Sequence, residues 1–117
     1  MPYVKNIVVA VREFEEWLDT QADDVHDEIM ALVGVLEIYG VTTPYPYSSK
    51  VFGSKYKGMR ELRTEIDRRA YRVLYIYDPM RRAVLLSGGD KSGDKRWYEK
   101  HVPLAEAAYE KYLKEGA

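Results

Sequence analysis

Ala70-Tyr71-Arg72-Val73-Leu74-Tyr75-Ile76-Tyr77, closed by Asp78-Pro79 and followed by Ala83-Val84-Leu85-Leu86, is the stretch that decides the fold. Large β-branched and aromatic residues alternate along its first arm, a pattern that suits a pleated, half-buried surface rather than a helix. Asp78 and Pro79 turn the chain, so Ala83 to Leu86 returns as a hairpin partner and the pair forms the spine of a sheet. Just upstream, Lys50 to Phe52 and Gly58 to Arg63 predict two shorter strands around a turn at Gly53 to Lys57.

The flanks have a different period. Tyr3 to Val11 is a short run rich in valine and isoleucine and predicts a covered strand. Phe14, Trp17 and Leu18 then fall at i, i+3 and i+4, the spacing of a helix with one apolar face, and Glu13, Glu15, Glu16 and Asp19 surround the other side. After a polar break, Val25, Ile29, Leu32, Val33 and Leu36 define a second helix that stops at Gly40. Pro44 and Pro46 exclude a helix over Val41 to Ser49 and favour an extended surface crossing. Ser87 to Asp94 predicts a glycine-rich loop, and two helical pieces follow, near Lys95 to Lys100 and over Pro103 to Lys114. Helices segregated from strands imply an α+β fold: an antiparallel twisted sheet, two N-terminal helices on one face and a C-terminal helical tail. Residues 1–117 read as one domain, with a composition 46% apolar and 32% charged that places the chain in the globular class.

Net charge is −1, but it is unevenly spread. Residues 1–49 carry 2 Lys/Arg against 9 Asp/Glu, and residues 50–100 carry 14 against 7. A binding face senses local potential, screened within about 10 Å at ordinary salt, so the basic half points to a polyanion despite the neutral total. With no cysteine there is no disulfide framework, thiolate zinc site or cysteine nucleophile, which fits a reducing compartment. Met1 to Val11 lacks the basic start and long apolar run of a signal peptide, and no apolar run approaches a membrane span of about 20 residues. The expectation is a cytoplasmic protein with no membrane partner.

Within the basic half, Lys57, Arg60, Arg63, Arg72 and Lys91 are interleaved with Tyr71, Tyr75, Tyr77, Trp97 and Tyr98. Cations bind phosphate, Arg bidentately, and aromatic rings stack unpaired bases, so the combination suits RNA. Alternating tyrosines of a hairpin are also ordinary sheet core, and of the adjacent Trp97 and Tyr98 one is expected inside and the other available. Lys95 and Arg96 add charge beside them. Gly88, Gly89 and Gly93 with Lys91 do not match the order of a nucleotide-triphosphate loop, although such a loop could hold Lys91 near a backbone phosphate. His26 and His101 have no partner at metal-ligand spacing, so metal chemistry and a metal cofactor are not expected. His26 reads as a solvated helix residue, while His101 is a candidate for proton transfer.

Phe52-Gly53-Ser54-Lys55, Met59-Arg60-Glu61-Leu62-Arg63, Tyr71-Arg72-Val73-Leu74-Tyr75-Ile76-Tyr77-Asp78-Pro79, Leu85-Leu86-Ser87-Gly88-Gly89-Asp90-Lys91-Ser92-Gly93 and Trp97-Tyr98 together resemble the RelE/HigB toxin superfamily, in particular its phage-derived HigB-like branch. The resemblance spans nearly the whole chain. It implies a small microbial-ribonuclease-like α+β fold and a type II toxin that cuts mRNA in the ribosomal A site without a cofactor. It also implies a cognate antitoxin with a helix-turn-helix domain, through which alone operator DNA is contacted. By resemblance, the 2′-hydroxyl attacks the adjacent phosphate, Arg72 stabilises the phosphorane, Lys91 contacts phosphate, and Tyr98 or Trp97 stacks on or orients the nucleotide. Arg60, Arg63, Lys95 and Arg96 would add contacts to RNA. The family places lysines on the strand where this chain has Arg60, Glu61 and Arg63, so the general base does not carry over. Lys57, Glu61 and His101 stay open for that role, because arginine is too basic to accept a proton near neutrality. Two alternatives remain: a protein-binding toxin like the related ParE proteins, which poison gyrase, and a catalytically inactive relative acting in complex assembly.

Overall fold

The computed structural model describes residues 5–116. Five strands form one mixed sheet in the order β1-β5-β4-β3-β2, with β1 Val8–Ala10, β2 Ser48–Lys50, β3 Arg60–Ile66, β4 Arg69–Tyr77 and β5 Ala83–Asp90. Three helices, α1 Arg12–Asp19, α2 Asp23–Tyr39 and α3 Trp97–Lys114, complete the α+β architecture. The β4-β5 hairpin is indeed central, and β2, β3, β4 and β5 are joined antiparallel as the sequence implies. The exception is β1, which joins β5 in parallel and makes the sheet mixed.

Adjacent residues of a strand point to opposite faces, and β5 shows what each face carries. A Cβ built on Gly88 would collide with the Trp17 ring of α1, and one on Gly89 would lie 2.8 Å from Trp97 Nε1 of α3. Helices α1 and α3 therefore pack on opposite sides of the sheet. Helix α2 shares the α1 side, where Thr64 of β3 donates to Glu28. Phe14, Leu18, Ile29, Leu32 and Leu36 fill the core on that side, as their helical spacing requires.

The expected glycine-rich loop begins late. Ser87 to Asp90 continue β5, pairing with Tyr71 to Leu74, because Gly88 and Gly89 are where two tryptophan rings press on the strand and no side chain fits. The two expected C-terminal helical pieces are one helix with Pro103 inside it. A proline there forfeits a backbone bond at about 3 kcal/mol, but Trp97, Val102, Ala105, Ala108 and Tyr109 form one buried stripe along both halves.

Other boundaries shift. Of the expected strand Tyr3 to Val11, Tyr3 and Val4 lie outside the described residues and only Val8–Ala10 is strand. Asn6 instead binds the end of α2, its backbone N donating to Glu37 O at 2.8 Å and its Nδ2 to the same oxygen at 3.0 Å. Strand β2 lies two residues before the expected Lys50 to Phe52, which frees Phe52 from the sheet. Strand β3 starts after Gly58 and Met59 and runs past Arg63 to a tight hairpin at Asp67 and Arg68, both at positive φ.

Gly88→Ala tests the tight packing of β5. Inserting a methyl against Trp17 is expected to destabilise the fold by about 1–3 kcal/mol, read from urea unfolding, and the double variant with Trp17→Leu should recover much of the loss.

Candidate active-site cleft

Pairing of β3 with β4 sets Arg63 opposite Arg72 and Glu61 opposite Leu74, so Glu61, Arg63 and Arg72 project from one face of the sheet. It is the α3 face, since Arg72 pairs across its other edge with Gly89. Helix α3 packs on β5 and β4. Ser49, Glu61 and Arg63 of β2 and β3 instead line an open cleft of about 500 Å³ with Tyr98 and Phe52.

Glu61 is the hub of this site. Its carboxylate is buried, with the residue only 4% exposed. Tyr98 Oη donates to Oε1 at 2.5 Å, Ser49 Oγ to Oε2 at 2.7 Å and Arg63 Nη1 to Oε2 at 3.2 Å. Arg72 Nε lies 3.7 Å from Oε1. A buried carboxylate survives only when paired and hydrogen-bonded, and this one has both kinds of partner. Arg72 is itself buried: Nη1 donates to the Tyr71 carbonyl at 2.9 Å, while Nε has no hydrogen-bond partner. Burial, reinforced by the bond to Glu61, pushes the Tyr98 phenol up to about 12. Lys91 Nζ sits 5.6 Å from the centre of the Tyr98 ring. Three cations thus gather around one carboxylate and one neutral phenol, leaving local positive charge.

Four of the five catalytic candidates from the sequence, Arg72, Lys91, Tyr98 and Glu61, come together. The fifth, Lys57, does not: it lies with Arg60 along a separate groove beside Tyr77. Arg60 is on the opposite face of β3 from Glu61, its Nε donating to Ser48 Oγ at 3.1 Å. Trp97 is 2% exposed, its ring stacked on His101 at 4.2 Å and edge-on to Tyr98, so it belongs to the core and offers no face to a base. Burial holds His101 below the usual histidine range, and its Nδ1 faces Ser87 Oγ at 3.1 Å rather than Glu61. Lys95 and Arg96 are exposed just before α3, with Arg96 Nε 3.9 Å from Glu99. Arg63, expected to bind RNA, lies inside the cluster as a direct partner of Glu61. Ser49 escapes the sequence reading. Its one signal is the cross-strand pairing with Glu61, visible only once β2 is set at Ser48–Lys50.

Residues 16–110 match the family of phage-derived Gp49-like proteins. The chain belongs to that family. It is 35% identical over 107 residues to the Mycobacterium tuberculosis (strain ATCC 25618 / H37Rv) protein named "Putative toxin HigB3", covering 91% of this chain and 92% of that protein. It is 30% identical over 105 residues to "Putative toxin HigB2" of the same strain, covering 88% of this chain and 52% of that protein, so it spans about half the length of that relative. No solved structure matches. The Gp49-like family and the two HigB relatives place the chain among HigB-like toxins of the RelE/HigB type, as its motifs imply. Among the described residues, no helix of this Gp49-like protein is long and apolar enough to cross a membrane.

Glu61→Ala strips Arg72 of its only carboxylate partner among the described residues while leaving the guanidinium buried. The expected loss is about 3–5 kcal/mol in denaturant unfolding, with partial recovery in Glu61→Ala/Arg72→Met, whose apolar pair needs no counter-charge.

Proposed function

We propose that this chain is the toxin of a type II toxin–antitoxin pair, a metal-independent endoribonuclease that cleaves mRNA in the ribosomal A site. The single observation that carries the reading is the gathering of Arg63, Arg72, Lys91 and Tyr98 around Glu61, with Glu61, Arg63 and Tyr98 lining the open cleft. Glu61 is the general base that remains, since Lys57 and His101 lie elsewhere. Its carboxylate takes the proton of the 2′-hydroxyl, the 2′-oxygen bonds to phosphorus, and the bond to the 5′-oxygen breaks. That oxygen takes a proton from the solvent that the open cleft admits, leaving a 2′,3′-cyclic phosphate. Arg63 and Lys91 contact the phosphate, Arg72 stabilises the phosphorane charge from beneath the cleft floor, and Tyr98 orients the nucleotide while fixing Glu61. The partners are then mRNA, the ribosome and a cognate antitoxin with a helix-turn-helix domain, which alone contacts operator DNA; the compartment is the cytoplasm.

One observation favours a second reading. Arg72 is buried and paired with Glu61, the arrangement expected of a relative that has lost catalysis and acts in complex assembly or, like ParE, by binding gyrase. Induced expression with mapping of mRNA 5′ ends, run beside a gyrase supercoiling assay, separates these: new 5′ ends with normal supercoiling support the ribonuclease, and the reverse supports the protein-binding toxin.

Glu61→Gln preserves shape and one acceptor oxygen but cannot accept the proton. Cleavage should fall by about 10²–10⁴ and growth inhibition should disappear, while circular dichroism shows the fold retained and melting drops because buried Arg72 loses its counter-charge. Lys91→Glu should weaken RNA or ribosome association and flatten its salt dependence, because fewer counterions are released per complex. An unchanged slope in a binding titration would place Lys91 outside the interface.

A further inference from the structure

Single-stranded RNA is held by cations along its backbone and by aromatic rings on which its bases stack. The cleft has the cations, but the aromatic residues singled out in the sequence are largely committed elsewhere. Trp97 is core, and Tyr98 has its hydroxyl on Glu61, its edge toward Trp97 and Lys91 over its ring. The free aromatic surface lies instead on both sides of β2. Phe52, two residues after the strand, is 80% exposed and lines the cleft with Glu61 and Arg63. Tyr45, three residues before the strand, is 71% exposed and lines, with Glu28 and Glu65, a separate hollow between α2 and β3 that meets the cleft only at Arg63.

A lone exposed aromatic is ordinary on a protein surface. Here each carries a cation: Lys50 Nζ lies 5.6 Å from the centre of the Phe52 ring, and Arg63 Cζ lies 5.1 Å from that of Tyr45. With Lys91 over Tyr98, three cation–ring pairs surround Glu61. The pairs at Phe52 and Tyr45, whose rings stay exposed, each join a phosphate-binding charge to a stacking face, the two groups that one nucleotide needs.

We propose that Phe52 in the Glu61 cleft and Tyr45 beyond it at Arg63 are base-stacking platforms, with Lys50 and Arg63 taking the adjoining phosphates, so that the site grips single-stranded RNA as a run of nucleotides along β2. This rests on the ribonuclease reading above and names the recognition groups of that same site. Stacking is indifferent to base identity, so the platforms supply affinity and register, not sequence preference.

The test measures binding of a fluorescein-labelled mRNA fragment with one 2′-deoxy nucleotide at the cleavage position, offered free and in the vacant A site of programmed ribosomes. Phe52→Ala and Tyr45→Ala should each bind about tenfold more weakly, about 1.4 kcal/mol, with melting unchanged because both side chains are exposed. Their salt slopes should equal that of wild type, since a lost stacking contact releases no counterions, and Phe52→Trp should bind at least as tightly as wild type. Affinities within twofold of wild type for both alanine variants would overturn the inference while wild-type binding leaves the ribonuclease reading standing. Failure of wild type to bind the fragment in either form overturns both. Loss of cognate antitoxin binding with RNA affinity intact would make the two rings a protein-docking surface and also overturn it.

Discussion

A carboxylate buried in a β-sheet has to be answered by donors, and the arrangement around Glu61 follows from that requirement. Taking the charge out of water costs several kcal/mol, and it is tolerated only where hydrogen bonds and opposite charge replace the lost hydration. Four elements supply them: Ser49 from β2, Arg63 from β3, Arg72 from β4 and Tyr98 from α3. The contact from Tyr98 reaches across from the helix to β3, so it joins the start of α3 to the sheet. Buried ion pairs of this kind add little net stability compared with apolar packing, but losing one member strands the others. The same donors, aimed at one carboxylate, are the groups that a phosphate would call on.

The openness of the site is a consequence of how the second face of the sheet is covered. Helix α3 packs on β4 and β5, held there by Trp97 against Gly89 and by the buried stripe through Ala105 and Tyr109. The acidic helices α1 and α2 take the other face, with Trp17 over Gly88. The charge asymmetry of the sequence therefore has a structural counterpart: the acidic segment shields one side, and the basic strands present Arg63 and Lys50 at the cleft with Arg72 buried beneath it. One tryptophan on each side of two adjacent glycines fixes both helices to the same strand.

Much of the fold was legible because its signals are periodic. The alternation from Ala70 to Tyr77 identified the central strand, and the spacing of Val25, Ile29, Leu32 and Leu36 identified α2. Where the reading slipped, a tertiary contact outweighed a local cue. Gly88 and Gly89 look like loop residues until two indole rings are seen to need their bare backbone, and Pro103 looks like a helix start until the continuous packing of α3 is seen to outweigh it. Residue types together with the family resemblance brought Arg72, Lys91, Tyr98 and Glu61 forward, but not which of the scattered cations share a face. Strand parity decides that, turning Arg60 away from Arg63's side and leaving Lys57 in another groove. The two-residue shift of β2 hid both the pairing of Ser49 with Glu61 and the release of Phe52 into solvent.

The central claim is that the Glu61 cleft moves a proton from a 2′-hydroxyl and so turns RNA's own oxygen into the nucleophile. The most direct measurement is the chemistry of the cut ends, read by mass spectrometry of fragments from ribosomes programmed with a defined message. A 2′,3′-cyclic phosphate, or the 3′-phosphate it hydrolyses to, on the upstream fragment and a 5′-hydroxyl on the downstream one is the expected result. A 5′-phosphate with a free 3′-hydroxyl, or an intact message at protein concentrations that arrest growth, would contradict it.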